Sequence, residues 1–133
     1  MLTKKTIKNV ICATAFIGMI VPLSAMANIP NHTSYGDAVD YSIAGDYDDA
    51  SKIFIALAEQ NDGRAQFNLA MMYHAGLGVP EDEAKAVELY HKAAANGVPE
   101  AMEYLVAGYS EGWFGLQKDE KKAAYWQNKL DNM

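Results

Sequence analysis

The strongest constraint on this chain is an internal repeat that joins two consecutive stretches of its second half. Four small or apolar positions recur at a constant offset of 36 residues: Ala65, Leu69, Tyr73 and Gly76 become Ala101, Leu105, Tyr109 and Gly112. Their spacing of three or four residues places them on one face of an α-helix. A period of this length is typical of a helical repeat array, in which each unit buries its apolar face only by stacking on a neighbour.

The chain divides by this period into three helix–turn–helix units. The units cover residues 35–62, 63–98 and 99–133. The sequence therefore predicts an all-α fold, an α/α superhelical solenoid of about three repeats with six helices.

Local signals place the helix ends. Asp62 is expected to cap the first helix of the second unit, because its carboxylate accepts hydrogen bonds from free backbone N–H groups. Gly76 and Gly78 allow a positive φ in the following turn, and Pro80 is expected in the first turn of the next helix. In the last helix of the chain, Gln127 is expected to face inward.

The first 27 residues have the composition of a secretory signal peptide. Three lysines precede an apolar run over residues 10–23, and small residues at 24–27 match a signal-peptidase site, so cleavage is expected after Ala27. A membrane anchor is the alternative, but this run of 14 residues is shorter than the ~20 that a spanning helix needs. Residues 28–34 then form a flexible lead-in, and the expected product is a soluble periplasmic or secreted protein.

Charge limits the classes of partner. Without the signal segment the chain keeps 8 of its 11 basic residues and all 17 acidic residues, which leaves a net charge of −9. Nucleic acid is an unfavourable partner because its phosphates would be repelled. The excess is greatest over residues 28–62, at −6, which is either a solvated surface or a field that attracts a basic partner. The single cysteine, Cys12, lies in the signal segment, so no disulfide framework is expected after cleavage.

Motifs for catalysis or metal binding do not occur in the sequence. His32, His74 and His91 have neither a histidine four residues away nor carboxylates at metal-ligand spacing. The acidic run 81–83 lies where a helix begins, and there it favours the positive end of the helix dipole. The sequence therefore predicts no enzyme, no cofactor and no metal site.

The second unit resembles a known repeat over nearly its whole length. Its matching positions are Ala65, Leu69, Tyr73, Gly76, Gly78, Val79, Asp82, Lys85, Ala86, Tyr90, Ala93, Ala94 and Gly97. This pattern is similar to the Sel1-like repeat, a relative of the tetratricopeptide repeat. The third unit departs from it by one extra residue in its turn, and the first is closer to a tetratricopeptide unit. The resemblance implies a superhelix whose first helices line a concave face that binds proteins.

Carried over by position, the resemblance implies a set of partner-binding residues on these first helices. They are Tyr35, Val39 and Ser42 in the first unit, Arg64, Phe67, Met71 and His74 in the second, and Glu100, Glu103, Ala107, Ser110 and Glu111 in the third. Phe67 and Met71 either face a partner or pack in the core. Trp113 and Phe114, in the turn of the third unit, are a second candidate contact, unless one of the two rings folds back over the seam between helices.

These features together predict a periplasmic protein–protein interaction module. It acts either as an immunity protein that neutralises a toxic effector or as an adaptor in an envelope assembly, and its partner is another protein, expected to be basic. One alternative is a peptidoglycan-binding protein. A more distant one is a β-lactam hydrolase-like enzyme, which the resemblance suggests only for cysteine-rich relatives. Because no polar helix follows the last one, part of Tyr125, Trp126 or Leu130 is expected to be exposed, to form a homodimer or to contact a partner.

Overall fold

The computed structural model describes residues 34–133, and this part of the chain consists of α-helices joined by short turns. Its six helices are α1 Tyr35–Ala44, α2 Tyr47–Glu59, α3 Gly63–Ala75, α4 Glu83–Ala95, α5 Pro99–Glu111 and α6 Glu120–Asp131. The predicted all-α fold with six helices is confirmed. The expected signal segment, the lead-in up to residue 33 and His32 lie outside the described residues. Within the described part, no helix combines the length and hydrophobicity required to cross a bilayer.

Aspartate side chains cap the N-termini of three of the helices. Asp62 accepts hydrogen bonds from two backbone N–H groups of the first turn of α3, at 2.9 and 3.0 Å, as the sequence predicts. Asp82 and Asp119 cap α4 and α6 in the same way. The backbone N–H of Asp82 also donates to the Tyr73 carbonyl oxygen at 2.9 Å. That bond ties the segment before α4 back to α3, so Pro80 lies in the connecting turn, and its expected place in the first turn of α4 is wrong.

Each helix packs against the next one along the chain. Alanines lie fully buried where the helices of the second pair meet, at positions 65, 70, 86, 93 and 94. Leucine and aromatic side chains fill the remaining space, among them Phe54, Leu69, Leu89, Tyr90 and Leu105. This combination of small residues at crossings and large residues between them is what close-packed helix pairs require.

In the last helix, α6, only some of the residues expected to face the core are buried. Ala123 and Trp126 are buried, whereas Gln127 is exposed and its side-chain amide donates to the Asp131 carboxylate at 2.8 Å. The expected inward position of Gln127 is therefore wrong: its amide is satisfied on the solvent side, where it needs no buried partner. Of the apolar residues expected to be exposed here, Tyr125 is the one that is, at 52%.

A polar network around the buried Gln66 joins the turns on either side of the second helix pair. The side-chain amide of Gln66 donates to the Ala58 carbonyl oxygen at 3.2 Å and to Asn61 Oδ1 at 3.1 Å. The Asn96 amide donates to Gln66 Oε1 at 2.8 Å and to Asn61 Oδ1 at 3.0 Å. Because Gln66 is buried, these bonds replace the water that its amide loses on folding. The network links α2, α3 and the end of α4.

The turn between α3 and α4 passes directly against the start of α2. Gly78 has φ +66°, and a Cβ atom at this position would lie 2.1 Å from the carbonyl oxygen of Tyr47. The Ser51 hydroxyl donates to the Gly78 carbonyl oxygen at 3.0 Å. Only glycine has both the backbone freedom and the absence of a side chain that this contact requires.

Candidate partner-binding surface

Five aromatic rings, from α3, α4, α5 and the turn that follows α5, form one connected row. Phe67 on α3 meets Tyr90 on α4 edge to face, with ring centres 5.7 Å apart. Tyr90 stacks on Tyr104 of α5 at 3.8 Å, and Tyr104 stacks on Phe114 of the next turn at 4.2 Å. Phe114 meets Trp113 edge to face at 6.0 Å. We refer to these five rings as the aromatic row.

The row is bordered along α3 by two further side chains that the sequence places on the same helical face. Phe67, Met71 and His74 follow a spacing of four and three residues, which keeps them together on one side of a helix. The His74 ring lies 5.5 Å from Phe114 and its Nδ1 lies 3.3 Å from the Tyr104 hydroxyl. Met71 is 49% exposed. The structure therefore brings these predicted residues next to the row and leaves Met71 open to solvent.

The two rings of the third turn point in different directions because of the backbone between them. The Leu116 N–H donates to the Trp113 carbonyl oxygen at 3.0 Å, which closes a four-residue turn. Its central residues, Phe114 and Gly115, have φ +59° and +71°, the signs found in a type I′ turn. Phe114 consequently folds back onto Tyr104, whereas Trp113 remains 55% exposed.

The face formed by α1, α3 and α5, here called the first-helix face, continues at its other end around Tyr35. The Tyr35 ring packs on Phe54 at 5.8 Å, and its hydroxyl accepts a hydrogen bond from the Asn68 amide at 2.8 Å. The Arg64 guanidinium carbon lies 4.4 Å from the Tyr35 ring centre. A groove of about 730 Å³ opens here between the start of α3 and the start of α5, where Glu100 is part of its wall.

The remaining predicted positions differ in how much they expose. Val39 and Ser42 on α1 are half-buried, and the Ser42 hydroxyl donates to a carbonyl oxygen of its own helix at 2.8 Å. On α5, Glu103 and Glu111 are exposed and Ser110 is half-buried. The three glutamates of α5, Glu100 included, and Arg64 are thus the accessible charged part of the predicted set.

Electrostatically, this surface is acidic towards the third helix pair. α5 contains three exposed glutamates and no lysine or arginine. The Glu83 side chain, at the start of α4, lies against Gly115 in the turn that carries Trp113. Burial raises the pKa of the Tyr104 hydroxyl, and the neighbouring Tyr90 hydroxyl and the Glu83 charge raise it further. Tyr104 therefore stays protonated and acts as a hydrogen-bonding, stacking side chain.

Sequence reasoning missed two rings of the row. Tyr104 lies four residues after Glu100 and three before Ala107, so helical spacing alone places it on the same face as these predicted positions. Tyr90 has no such signal, because it belongs to the second helix of its pair and reaches the row only through packing.

The described residues offer no cluster for metal binding. Across residues 34–133, no group of three or more His, Cys, Asp or Glu side chains is placed to hold a metal ion. The two histidines in this range pair with tyrosine hydroxyls, His74 with Tyr104 and His91 with Tyr109, the latter at 2.9 Å. Burial, together with the charge of Lys122, lowers the pKa of His91.

Comparisons with known proteins agree with this architecture. A family profile described as Sel1 repeat matches residues 63–98 and 100–129. Among solved structures, that of a Sel1 repeat protein from Oxalobacter formigenes is similar over 64% of this chain, with 34% sequence identity and a TM-score of 0.61. The chain spans about a third of that protein, 34% of its length. No curated protein matches the chain significantly.

The helices and the surface that they form define an all-α helical repeat protein. With the profile matches over its second and third helix pairs, the chain belongs to the Sel1-like repeat family. Sel1 repeats generally mediate protein–protein interactions, and proteins built from them are typically interaction modules without enzymatic activity.

Proposed function

We propose that this chain is an exported module that holds one protein partner on the first-helix face. The observation that carries the proposal is the aromatic row, which is packed in its middle and ends beside the half-exposed Met71 and in the half-exposed Trp113. Aromatic and methionine side chains are enriched in the cores of protein interfaces. A typical interface covers about 800 Å² per partner, which a face of three helix pairs can supply.

The proposed location is the periplasm, and the proposed role is immunity to a toxic effector or adaptor function in an envelope assembly. The location is supported by the signal-like composition of residues 1–27. The partner is expected to be basic, because residues 28–133 carry a net charge of −9. A toxin-like reading frame beside the gene favours the immunity role, and its absence favours the adaptor.

The test is affinity capture with protein purified after export from a bacterial host that expresses the full chain. We expect a mature product beginning at Asn28, verified by its intact mass, that retains one basic protein at stoichiometric ratio and less of it at higher salt. Met71→Glu should abolish retention, because it replaces an apolar side chain beside the row by a charge that the interface would bury. Tyr125→Glu is the matched control, since it adds the same charge at a residue of similar exposure on α6, 52% against 49%.

Two results would contradict the proposal. Retention that is insensitive to Met71→Glu would move the contact away from the first-helix face. Recovery of the chain alone, in a form that Tyr125→Glu dissociates, would mean that the protein associates with itself through its last helix. Phe67→Ala is a poorer probe than Met71→Glu, because Phe67 packs against Tyr90 and its loss would also disturb the fold.

A further inference from the structure

The turn that carries Trp113 holds an unusual backbone conformation. Phe114 has φ +59°, a region that is disfavoured for bulky side chains and persists only where the surroundings hold it in place. Here the surroundings are the Tyr104 ring at 4.2 Å and the His74 ring at 5.5 Å. The consequence is that Trp113 is fixed at the end of a packed row while its indole stays open to solvent.

A carboxylate lies across the same turn. A Cβ atom placed on Gly115 would come within 3.0 Å of the Glu83 Cγ and Cδ atoms and 3.3 Å of its Oε2, so glycine allows the carboxylate to approach the backbone. Among residues 34–133, Glu83 forms no ion pair with a lysine or arginine. Lys118, which lies close to Gly112 in the same loop, forms no ion pair with a carboxylate among these residues either.

Among residues 34–133, two other sites combine a ring, a carboxylate and a cation. The Arg64 guanidinium lies over the Tyr35 ring and 3.7 Å from the Asp62 carboxylate. The Lys122 ammonium lies 5.1 Å from the Tyr109 ring centre and 3.7 Å from the Asp119 carboxylate. In both, the cation comes from the chain itself and is held by the ring face and the negative charge together.

We propose that Trp113 and Glu83 form a third site of this kind, whose cation is an arginine or lysine side chain of the protein partner. An arginine suits it best, because a guanidinium stacks on an indole and pairs with a carboxylate at the same time. Charge complementarity supports a basic occupant: α5 carries only acidic charge, and the exposed Glu111 precedes Trp113 by two residues. This inference rests on the proposed function in that the occupant belongs to a bound protein.

The test uses two synthetic peptides and protein purified from expression of the full chain. One peptide carries a single arginine between neutral apolar residues, and the other replaces it by citrulline, which has nearly the same shape but no charge. Binding is followed by the indole N–H resonance of Trp113, with the buried Trp126, 8% exposed, as an internal reference. We expect the arginine peptide to bind more tightly than the citrulline peptide by about two- to fivefold, the factor typical of an exposed cation–π contact.

Matched variants decide whether the named residues form the site. Glu83→Gln and Trp113→Ala should each reduce the preference for arginine over citrulline, and Trp113→Ala should in addition weaken binding of both peptides. Glu120→Gln removes an equal charge from an exposed glutamate at the start of α6, outside the predicted binding set, and should leave the preference in place. Equal binding of the two peptides by the unmodified protein, or equal effects of Glu83→Gln and Glu120→Gln, would overturn the site.

The outcome is separable from that of the proposed function. A captured partner whose retention depends on Met71 but not on Trp113 or Glu83 would leave the function standing and overturn this site. A failed capture would refute the function, while the peptide comparison would still decide the site. The proposed cation site would also be overturned if the protein sedimented with purified peptidoglycan and this required Trp113 but not Glu83. The indole would then stack on sugar.

Discussion

Replacement of Gly78 by alanine would test the contact that joins the first two helix pairs. A left-handed backbone costs an alanine about 1–2 kcal/mol. The new Cβ would lie 2.1 Å from the Tyr47 carbonyl oxygen, where ordinary contact begins at 3.4 Å, so the turn and the start of α2 must separate by about 1.3 Å. That movement also breaks the hydrogen bond from Ser51, which contributes about 0.5–1.5 kcal/mol. With the steric strain added, we expect Gly78→Ala to lower the free energy of unfolding by about 3–5 kcal/mol.

Two other glycines provide matched controls for the backbone contribution. Gly45 and Gly97 have φ +85° and +82°, and a Cβ atom on either would meet nothing within 4 Å. Alanine at each should therefore cost only the backbone contribution, about 1–2 kcal/mol. The difference between Gly78→Ala and these controls isolates the close approach to α2.

The assay is urea unfolding followed by far-UV circular dichroism, with the free energy taken from linear extrapolation and the slope checked for constancy. A Gly78→Ala protein that fails to fold while both controls fold would agree with the clash. A Gly78→Ala protein whose stability lies within about 0.5 kcal/mol of the Gly45→Ala protein, the range of ordinary surface changes, would refute the reasoning, because the turn would then yield without strain.

Two further predictions concern the packing and the titration of the second helix pair. Ala86 is fully buried, so Ala86→Leu should overpack the seam and destabilise the fold by about 1–3 kcal/mol; an unchanged melting temperature would place Ala86 outside the seam. Burial, with a smaller contribution from Lys122, lowers the pKa of His91 below its ordinary 6.5. As pH falls below that value the unfolded chain binds a proton that the folded chain does not, so stability should decrease with acidity. His91→Gln should flatten this dependence as the pH falls through 6.5 and below in denaturation experiments, and an unchanged slope would assign it to other groups.

The fold was predictable because its determinants are local or periodic. The 36-residue offset, the alanines at the crossings and the cap at Asp62 are each visible in the sequence and recur in the structure.

The predicted start of α4 is wrong because Pro80 and Asp82 are both helix-start signals. A tertiary hydrogen bond from Asp82 to Tyr73 decides between them, and no local pattern contains it. The Gln66 network was missed for the same reason, since its members come from three elements.

The candidate surface was predictable only along single helices. Spacing within α3 placed Phe67, Met71 and His74 on one side, and the structure groups them as that spacing implies. The ring contacts between helices could not be predicted from the sequence, because they depend on Tyr90 of α4 packing between Phe67 and Tyr104. The opposite directions of Trp113 and Phe114 depend on a positive φ at a phenylalanine, which residue preferences argue against. Stacking of Phe114 on Tyr104 stabilises this backbone conformation, which a phenylalanine disfavours locally.

The arrangement of the aromatic row also determines which substitutions can separate binding from folding. Tyr104 stacks on a ring on either side, so its truncation opens the core of the row; aromatic-to-alanine changes in cores cost about 3–5 kcal/mol, enough to disturb the third helix pair. Met71 and Trp113 at the edge are half-exposed and carry less of the packing.

A partner present at 100 times its Kd would stabilise the protein by about 2.7 kcal/mol. Because a partner can cover the ends without opening the stack, that stabilisation should disappear in Trp113→Ala while the stability of the free protein changes little. Loss of the free protein's stability to the same extent would mean that Trp113 is part of the core rather than of the interface.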